Sequence, residues 1–211
     1  MAMTKTAEEA RGTLHAHHTY RLRVSSTALA ALNAEWDRCR WIWNESVAKS
    51  KQIHQWNKQR PDGAEKRTCG PAQLDKMLTQ ARATTAWLRE GSSVPQQQII
   101  RDFGKARAKA QKDIKDRLPM RRRAGMPRWK KKREARPSLN YTRRGFRLKG
   151  GRLHLAGGIE LSVVWSRELP AEPSSVRVYQ DSIGHWYASF VVPAQTEALP
   201  RTGRTIGVDW G

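Results

Sequence analysis

Apolar positions recur along this chain at two periods, and the switch between them divides it. Tyr20, Leu22 and Val24 alternate with Arg21 and Arg23, which predicts a strand over His15–Val24. From Leu29 the spacing becomes three and four. Leu29, Leu32, Trp36, Cys39, Trp43 and Val47 form one stripe of a helix that starts at a Ser25, Ser26 or Thr27 cap and runs to about Trp56. On that stripe Trp36 and Trp43 read as core, while Trp41 and Trp56 lie off it. Pro61-Asp62-Gly63 and Gly70-Pro71 mark a loop. A second helix is predicted over Ala72–Arg89, with Leu74, Met77, Leu78, Ala81 and Leu88 inward. Ser93-Val94-Pro95-Gln96 reads as the capping box of a third helix reaching about Arg117, with Ile99, Ile100, Phe103, Ala106, Ala110 and Ile114 inward.

The period returns to two after Ser138. Gly145–Lys149 and Arg152–Leu155 alternate across Gly150-Gly151, the signature of a tight hairpin. Ile159, Leu161, Val163 and Trp165 form another strand face. Val176 and Val178, then Trp186, Ala188, Phe190 and Val192, mark a strand pair across a turn at Asp181–Gly184. The fold class expected is α+β. A small β-barrel or curled sheet of oligonucleotide-binding type is interrupted by a helical bundle. The divisions are 1–26 (tail and first strand), 27–117 (helices), 118–137 (basic linker), 138–200 (remaining β domain) and 201–211, where something new begins.

Charge sharpens this picture. The 211 residues hold 40 Lys and Arg against 19 Asp and Glu, a net charge of +21, so a polyanionic partner is expected and nucleic acid is the commonest. The charge is concentrated. Of the eighteen residues from Pro119 to Arg136, nine are basic and one is acidic. Such a block repels itself and is expected to stay extended until an anion neutralises it. Its cations Arg121, Arg122, Arg123, Arg128, Lys130, Lys131, Lys132, Arg133 and Arg136 are candidate phosphate ligands, with Trp129 placed to stack on a base or sugar. Lys105 and Lys109 on the third helix, and Arg143, Arg144, Arg147 and Lys149 in the β segment, extend the candidate surface.

Other chemistry is thin. His15, His17 and His18 read as a polar strand face, because no Cys, Asp or Glu cluster accompanies them. Cys39 and Cys69 make neither a metal spacing nor a disulfide framework. No apolar run approaches a membrane span, and residues 1–9 lack a secretory core, so no membrane partner and a bacterial cytoplasmic location are expected. There is no phosphate loop of Walker type. Ile206 and Val208 alternate with Gly207 and Asp209, a strand that delivers a carboxylate to its tip.

Four stretches in this order carry a family resemblance: Arg38-Cys39-Arg40-Trp41-Ile42-Trp43-Asn44; Trp87-Leu88-Arg89-Glu90 with Gln96-Gln97-Gln98; Gly125-Met126-Pro127-Arg128-Trp129-Lys130-Lys131-Lys132; and Gly184–Phe190 followed by Ile206-Gly207-Val208-Asp209. The chain resembles the N-terminal half of TnpB, the RNA-guided nuclease of bacterial transposons, and of compact type V CRISPR effectors. The resemblance implies a wedge β domain, a helical recognition insertion and the first strand of an RNase H-like RuvC domain. It implies a guide RNA and a target double-stranded DNA with a short flanking motif as partners, together with a C-terminal nuclease portion. By the same resemblance Asp209 is the first metal-binding carboxylate of a two-metal Mg²⁺ site. Its companion carboxylates would come from downstream, so these 211 residues alone are expected to be inactive. Three alternatives remain open. One is a guided DNA binder without nuclease activity, another is an unguided RNA- or DNA-binding protein, and the third is an actin-like ATPase beginning at Ile206.

Overall fold

A computed structural model describes residues 14–194. Seven strands form one antiparallel sheet, and four helices are inserted between its first and second strands. The strands are β1 (His15–Arg23), β2 (Ser138–Thr142), β3 (Phe146–Lys149), β4 (Arg152–Leu155), β5 (Ile159–Val164), β6 (Ser175–Gln180) and β7 (Trp186–Pro193). Their order across the sheet is β2-β6-β7-β1-β5-β4-β3. The first strand therefore lies at the centre. It pairs with β7 from His15↔Pro193 to Arg21↔Tyr187, and with β5 around Leu22↔Val163.

The ladder does not close, so the expectation of a barrel is corrected to an open, strongly curled sheet. β2 and β3 are its two edges, yet only three residues separate them in sequence. Seven strands laid flat would set the edges roughly 29 Å apart. The chain from Thr142 to Phe146 reaches at most about 14 Å. The sheet must therefore curl until its edges meet at that corner, where the chain, rather than a hydrogen-bond ladder, joins them. Alternating burial follows the sequence pattern closely. Leu139 and Tyr141, Leu153 and Leu155, Ile159 and Leu161, Val176 and Val178, and Trp186, Ala188, Phe190 and Val192 all face inward. The β3–β4 hairpin forms as expected, with Gly150 and Gly151 at φ of 58° and 72°. Trp165 lies beyond the end of β5. It is 38% exposed and donates its indole N–H to the Gly151 carbonyl at 2.8 Å.

The helices are α1 (Ser26–Gln59), α2 (Pro71–Thr84), α3 (Ala86–Glu90) and α4 (Ser93–Lys115). Ser25 caps α1 by accepting from the Ala28 amide. The second predicted helix is broken. Thr85 takes extended geometry between α2 and α3, and the Thr84 hydroxyl donates back to the Gln80 carbonyl. Consecutive β-branched residues that bond their own backbone favour such a stop. The cap of α4 is Ser92, one residue before the predicted position. Two predicted core positions are solvent-facing: Leu29 is 38% exposed and Ile114 50%. Ile42, fully buried, and Ala28 take the inward face of α1 instead.

Sheet and helices share one core, since buried residues of α1, α2, α3 and α4 are contiguous with those of the strands. At the seam α4 lies on β2. Asp102 accepts from Asn140 of β2 at 2.8 Å and from Gln98 one turn earlier at 3.1 Å. The corner between β2 and β3 abuts the start of α4 so closely that a Cβ on Gly145 would sit 2.8 Å from Val94 Cγ1 and 3.0 Å from Tyr141 Cδ1. Gly145→Ala should therefore lower stability by about 1–3 kcal/mol. Gly104→Ala, on α4 with open space around it, should raise stability by up to about 1 kcal/mol. Thermal denaturation of both variants checks the pair of signs.

Candidate nucleic-acid interface

The basic stretch does not stay extended. It is docked along the groove between α1 and α4 and tied down at two points, which corrects the expectation of a self-repelling linker. At the α4 end, Asp113 is buried, and its carboxylate accepts from the Ala124 amide at 2.7 Å. Its backbone carbonyl accepts from Leu118 N–H at 3.1 Å. The Ala124 bond, with Lys109 nearby, holds the Asp113 carboxyl below its ordinary pKa. Between these points Met120–Arg122 form a single 3-10 turn, and Arg123 donates to the Leu118 carbonyl.

At the other point α1 grips the backbone itself. Trp43 donates its indole N–H to the Arg128 carbonyl at 2.7 Å. Asn44 makes a two-way pair with Lys130, accepting from its amide at 2.8 Å and donating to its carbonyl at 3.2 Å. The Lys130 ammonium rests over the rings of Trp43 at 4.4 Å and Trp36 at 5.7 Å. Burial lowers its pKa, and Arg177 acts the same way while Asp102 opposes them. Sequence reasoning placed Trp43 in the core and Lys130 among free phosphate ligands. In the fold Trp43 is half-buried and Lys130 is an anchor.

The other candidates divide into two groups at opposite ends of α4. Arg121, Arg122, Arg128, Lys131, Lys132, Arg133 and Arg136 are exposed on the docked stretch, and Trp129 is 47% exposed. Lys131 bonds Glu134 at 2.8 Å, and Lys132 lies 3.7 Å from Asp37. These exposed pairs restrain the side chains without burying their charge. Lys105 and Lys109 are exposed on α4, in register with Arg101 one turn earlier, which gives a cationic row at i, i+4 and i+8. Arg143, Arg144, Arg147 and Lys149 are exposed around the β2–β3 corner at the start of α4. Along the helix axis that corner is roughly 16 Å from Lys105. Arg143 is paired with Glu172 at 2.6 Å. Asp209 lies outside the described residues.

Some contacts were not read from sequence. Lys51 of α1 sits 5.5 Å over the Trp129 ring, and Arg67 sits 4.0 Å over Trp56. Arg107 is held by Ser50 and the Cys69 carbonyl at 3.0 Å each. A signal existed for the first: Lys51 follows the Trp43-Asn44 pair by two helical turns and so shares the face that grips the stretch.

Of the three upstream stretches that carry the family resemblance, the first contacts both of the others. Arg38 donates to the Trp87 carbonyl at 2.7 Å and to Glu90 at 3.3 Å. Trp43 and Asn44 hold Arg128 and Lys130. No protein-family model matches the chain. It is similar to a Streptomyces pristinaespiralis protein described as a "putative RNA-guided DNA endonuclease", with 30% identity over 197 residues. The alignment takes in 91% of this chain but 45% of that relative, so the chain spans less than half of its length.

Among the described residues no three His, Cys, Asp or Glu side chains come together as a metal-binding group, and the strand histidines do not gather any. No helix among them is long and apolar enough to cross a membrane. The exposed cations and Trp129, on a backbone fixed from below, can hold phosphates and stack on a base. Asn44→Ala should free the stretch. Trypsin should then cut at Arg128 and Lys131–Arg133 roughly tenfold faster, as expected for two lost hydrogen bonds, with little change in global melting.

Proposed function

We propose that this chain is the guide-RNA- and target-DNA-holding half of an RNA-guided DNA endonuclease of the TnpB and compact type V kind. One observation carries the reading. A nine-cation stretch is docked and pre-shaped by Trp43 and Asn44, residues of another stretch that carries the resemblance. A chain that needed only non-specific charge has no use for such an anchor. The similarity to a relative described as an RNA-guided DNA endonuclease supports the same reading.

On this reading the curled sheet is the wedge and α1–α4 are the recognition insertion. Base pairing reads the target, while the protein holds backbone shape and a short flanking motif in the duplex. Asp209 is then the first RuvC carboxylate, and Mg²⁺ would supply water activation and leaving-group stabilisation for phosphodiester hydrolysis. The described residues do not assemble a donor set for that ion, and one carboxylate does not make a two-metal site. We therefore assign no catalytic step to these 211 residues. Their part is to bind and orient.

A small defined RNA should co-purify with the chain and protect residues 119–136 from proteolysis. Purification free of RNA, with indifference to added guide, would overturn the reading. Arg121→Gln, Arg122→Gln and Arg128→Gln together should flatten the slope of log affinity against log salt by about two to three. Lys130→Gln should instead act mainly by loosening the stretch, as the trypsin assay reads. In a full-length nuclease carrying this chain, Asp209→Ala should abolish Mg²⁺-dependent cleavage while target binding stays near wild type.

A further inference from the structure

Beneath the docked stretch lies a groove between α1, α4 and the Met126–Pro127 segment, with a volume of about 600 Å³. Its walls are apolar: Val47, Phe103, Ile114, Met126 and Pro127. Ile114 is 50% exposed and Met126 43%, which leaves apolar surface open to solvent inside the most basic part of the molecule. The rim is different. Lys51 and Lys115 stand on it, with the amides of Gln55 and Gln111 and the imidazole of His54, and no acidic residue lines the groove.

We infer that this groove holds one unpaired base of the bound RNA. The inference rests on the proposed RNA binding and adds a place and a chemistry to it. A nucleotide has the matching layout: a flat, weakly polar base, hydrogen-bonding edges, and a phosphate at the end. The apolar wall takes the face of the base. Gln55 and Gln111 can each donate and accept along a base edge or to a ribose 2′-hydroxyl. Lys51 and Lys115 take the flanking phosphates. Lys51 also lies over the Trp129 ring at 5.5 Å, so the base in the groove and a neighbour stacked on Trp129 would share one cation. RNA is the source because its loops and bulges present splayed bases, whereas duplex DNA keeps its bases stacked and paired. An apolar protein segment would fill the same walls. It would leave the two lysines facing it without an anion.

The test uses the 211-residue chain and a 12-mer oligouridine carrying one 4-thiouridine, with a 12-mer oligothymidine carrying 4-thiothymidine as the second arm. After irradiation, the cross-linked peptides are mapped. The RNA probe should cross-link to Phe103, Met126 or their immediate neighbours, more strongly than the DNA probe. Ile114→Asp should reduce that cross-link roughly tenfold, because a carboxylate in the wall repels the nucleotide while the exposed site tolerates the change in folding. Gln111→Ala, which leaves the charge untouched, should weaken the RNA cross-link and bring it toward the DNA level. Cross-links confined to Arg121–Arg123, equal yields from both probes, or indifference to Ile114→Asp would each overturn the inference. So would self-association of the chain that Ile114→Asp abolishes, which would assign the groove to a second copy. Co-purifying guide RNA without groove cross-links would sink the base site alone. Groove cross-links without any co-purifying guide would sink the guided reading and leave the site standing.

Discussion

The carboxylate of Glu35 sits in the helical core at 3% exposure, and the insertion is arranged around keeping it there. Burial raises its pKa, because the ionised form loses its water. The Ser92 amide at 3.2 Å, Arg38 at 3.6 Å, Arg82 and Gln96 work against that shift. The same groups fix the joint between α3 and α4. Arg82 donates to the Leu88 carbonyl at 2.9 Å and to Gln96, and Gln96 donates to Leu88 at 2.9 Å. Gly91 is required in the middle, since a Cβ there would meet Arg38 Cδ at 2.4 Å. Removing one partner from such a network leaves a buried charge uncompensated, which costs about 3–5 kcal/mol. The polar cluster thus sets the angle at which α4 leaves α3, and through α4 the position of both cationic groups.

Charge and order are in conflict across the stretch from 119 to 136. Nine cations close together favour an expanded chain, and the fold answers with only two exposed-lysine pairs, Lys131–Glu134 and Lys132–Asp37. It holds the backbone: Asp113 at one point, and Trp43 with Asn44 at the other. Lys130 is moved off the surface onto two indole faces, where ring quadrupoles and the charge of Asp102 stabilise its ammonium. Apart from Arg123, which is half-buried and donates to the Leu118 carbonyl, the remaining cations stay exposed. An anion that binds them does not first have to order the segment, and that saved ordering cost goes into affinity.

Much of this was legible in the chain. The two periods marked six of the seven strands, β2 excepted, and the limits of α1 and α4 to within a few residues, because an amphipathic element writes its own face into the sequence. The Gly150-Gly151 turn was equally local. Contacts across long separations were not legible. Nothing in Trp43 or Asn44 says that their partners are 85 and 86 residues away. Their polar atoms bond backbone, so Arg128 and Lys130 carry no complementary side-chain signal. The curl was half visible: short strands and tight turns announced it, but whether β2 and β3 pair is decided by the Arg143–Gly145 turn and by α4 packed into that corner. Burial of Glu35 was invisible for a related reason. Its position three residues from Leu32 and four from Cys39 placed it near the stripe, yet a carboxylate at such a site is ordinarily read as its polar border.

The arrangement also limits what kind of recognition the described residues could perform. Exposed Arg and Lys on a fixed backbone read phosphate spacing, and phosphates are alike in every sequence. A protein built this way gains affinity and orientation but little discrimination between targets. Discrimination must come from groups that meet base edges, such as the amides along the groove beside Phe103 and the Asn140–Asp102–Gln98 contact at the sheet seam. An unguided sequence reader depends on such groups throughout its interface. A guided one needs fewer, because a paired RNA strand supplies the sequence information and the protein need only hold a nucleic acid of one shape in one place.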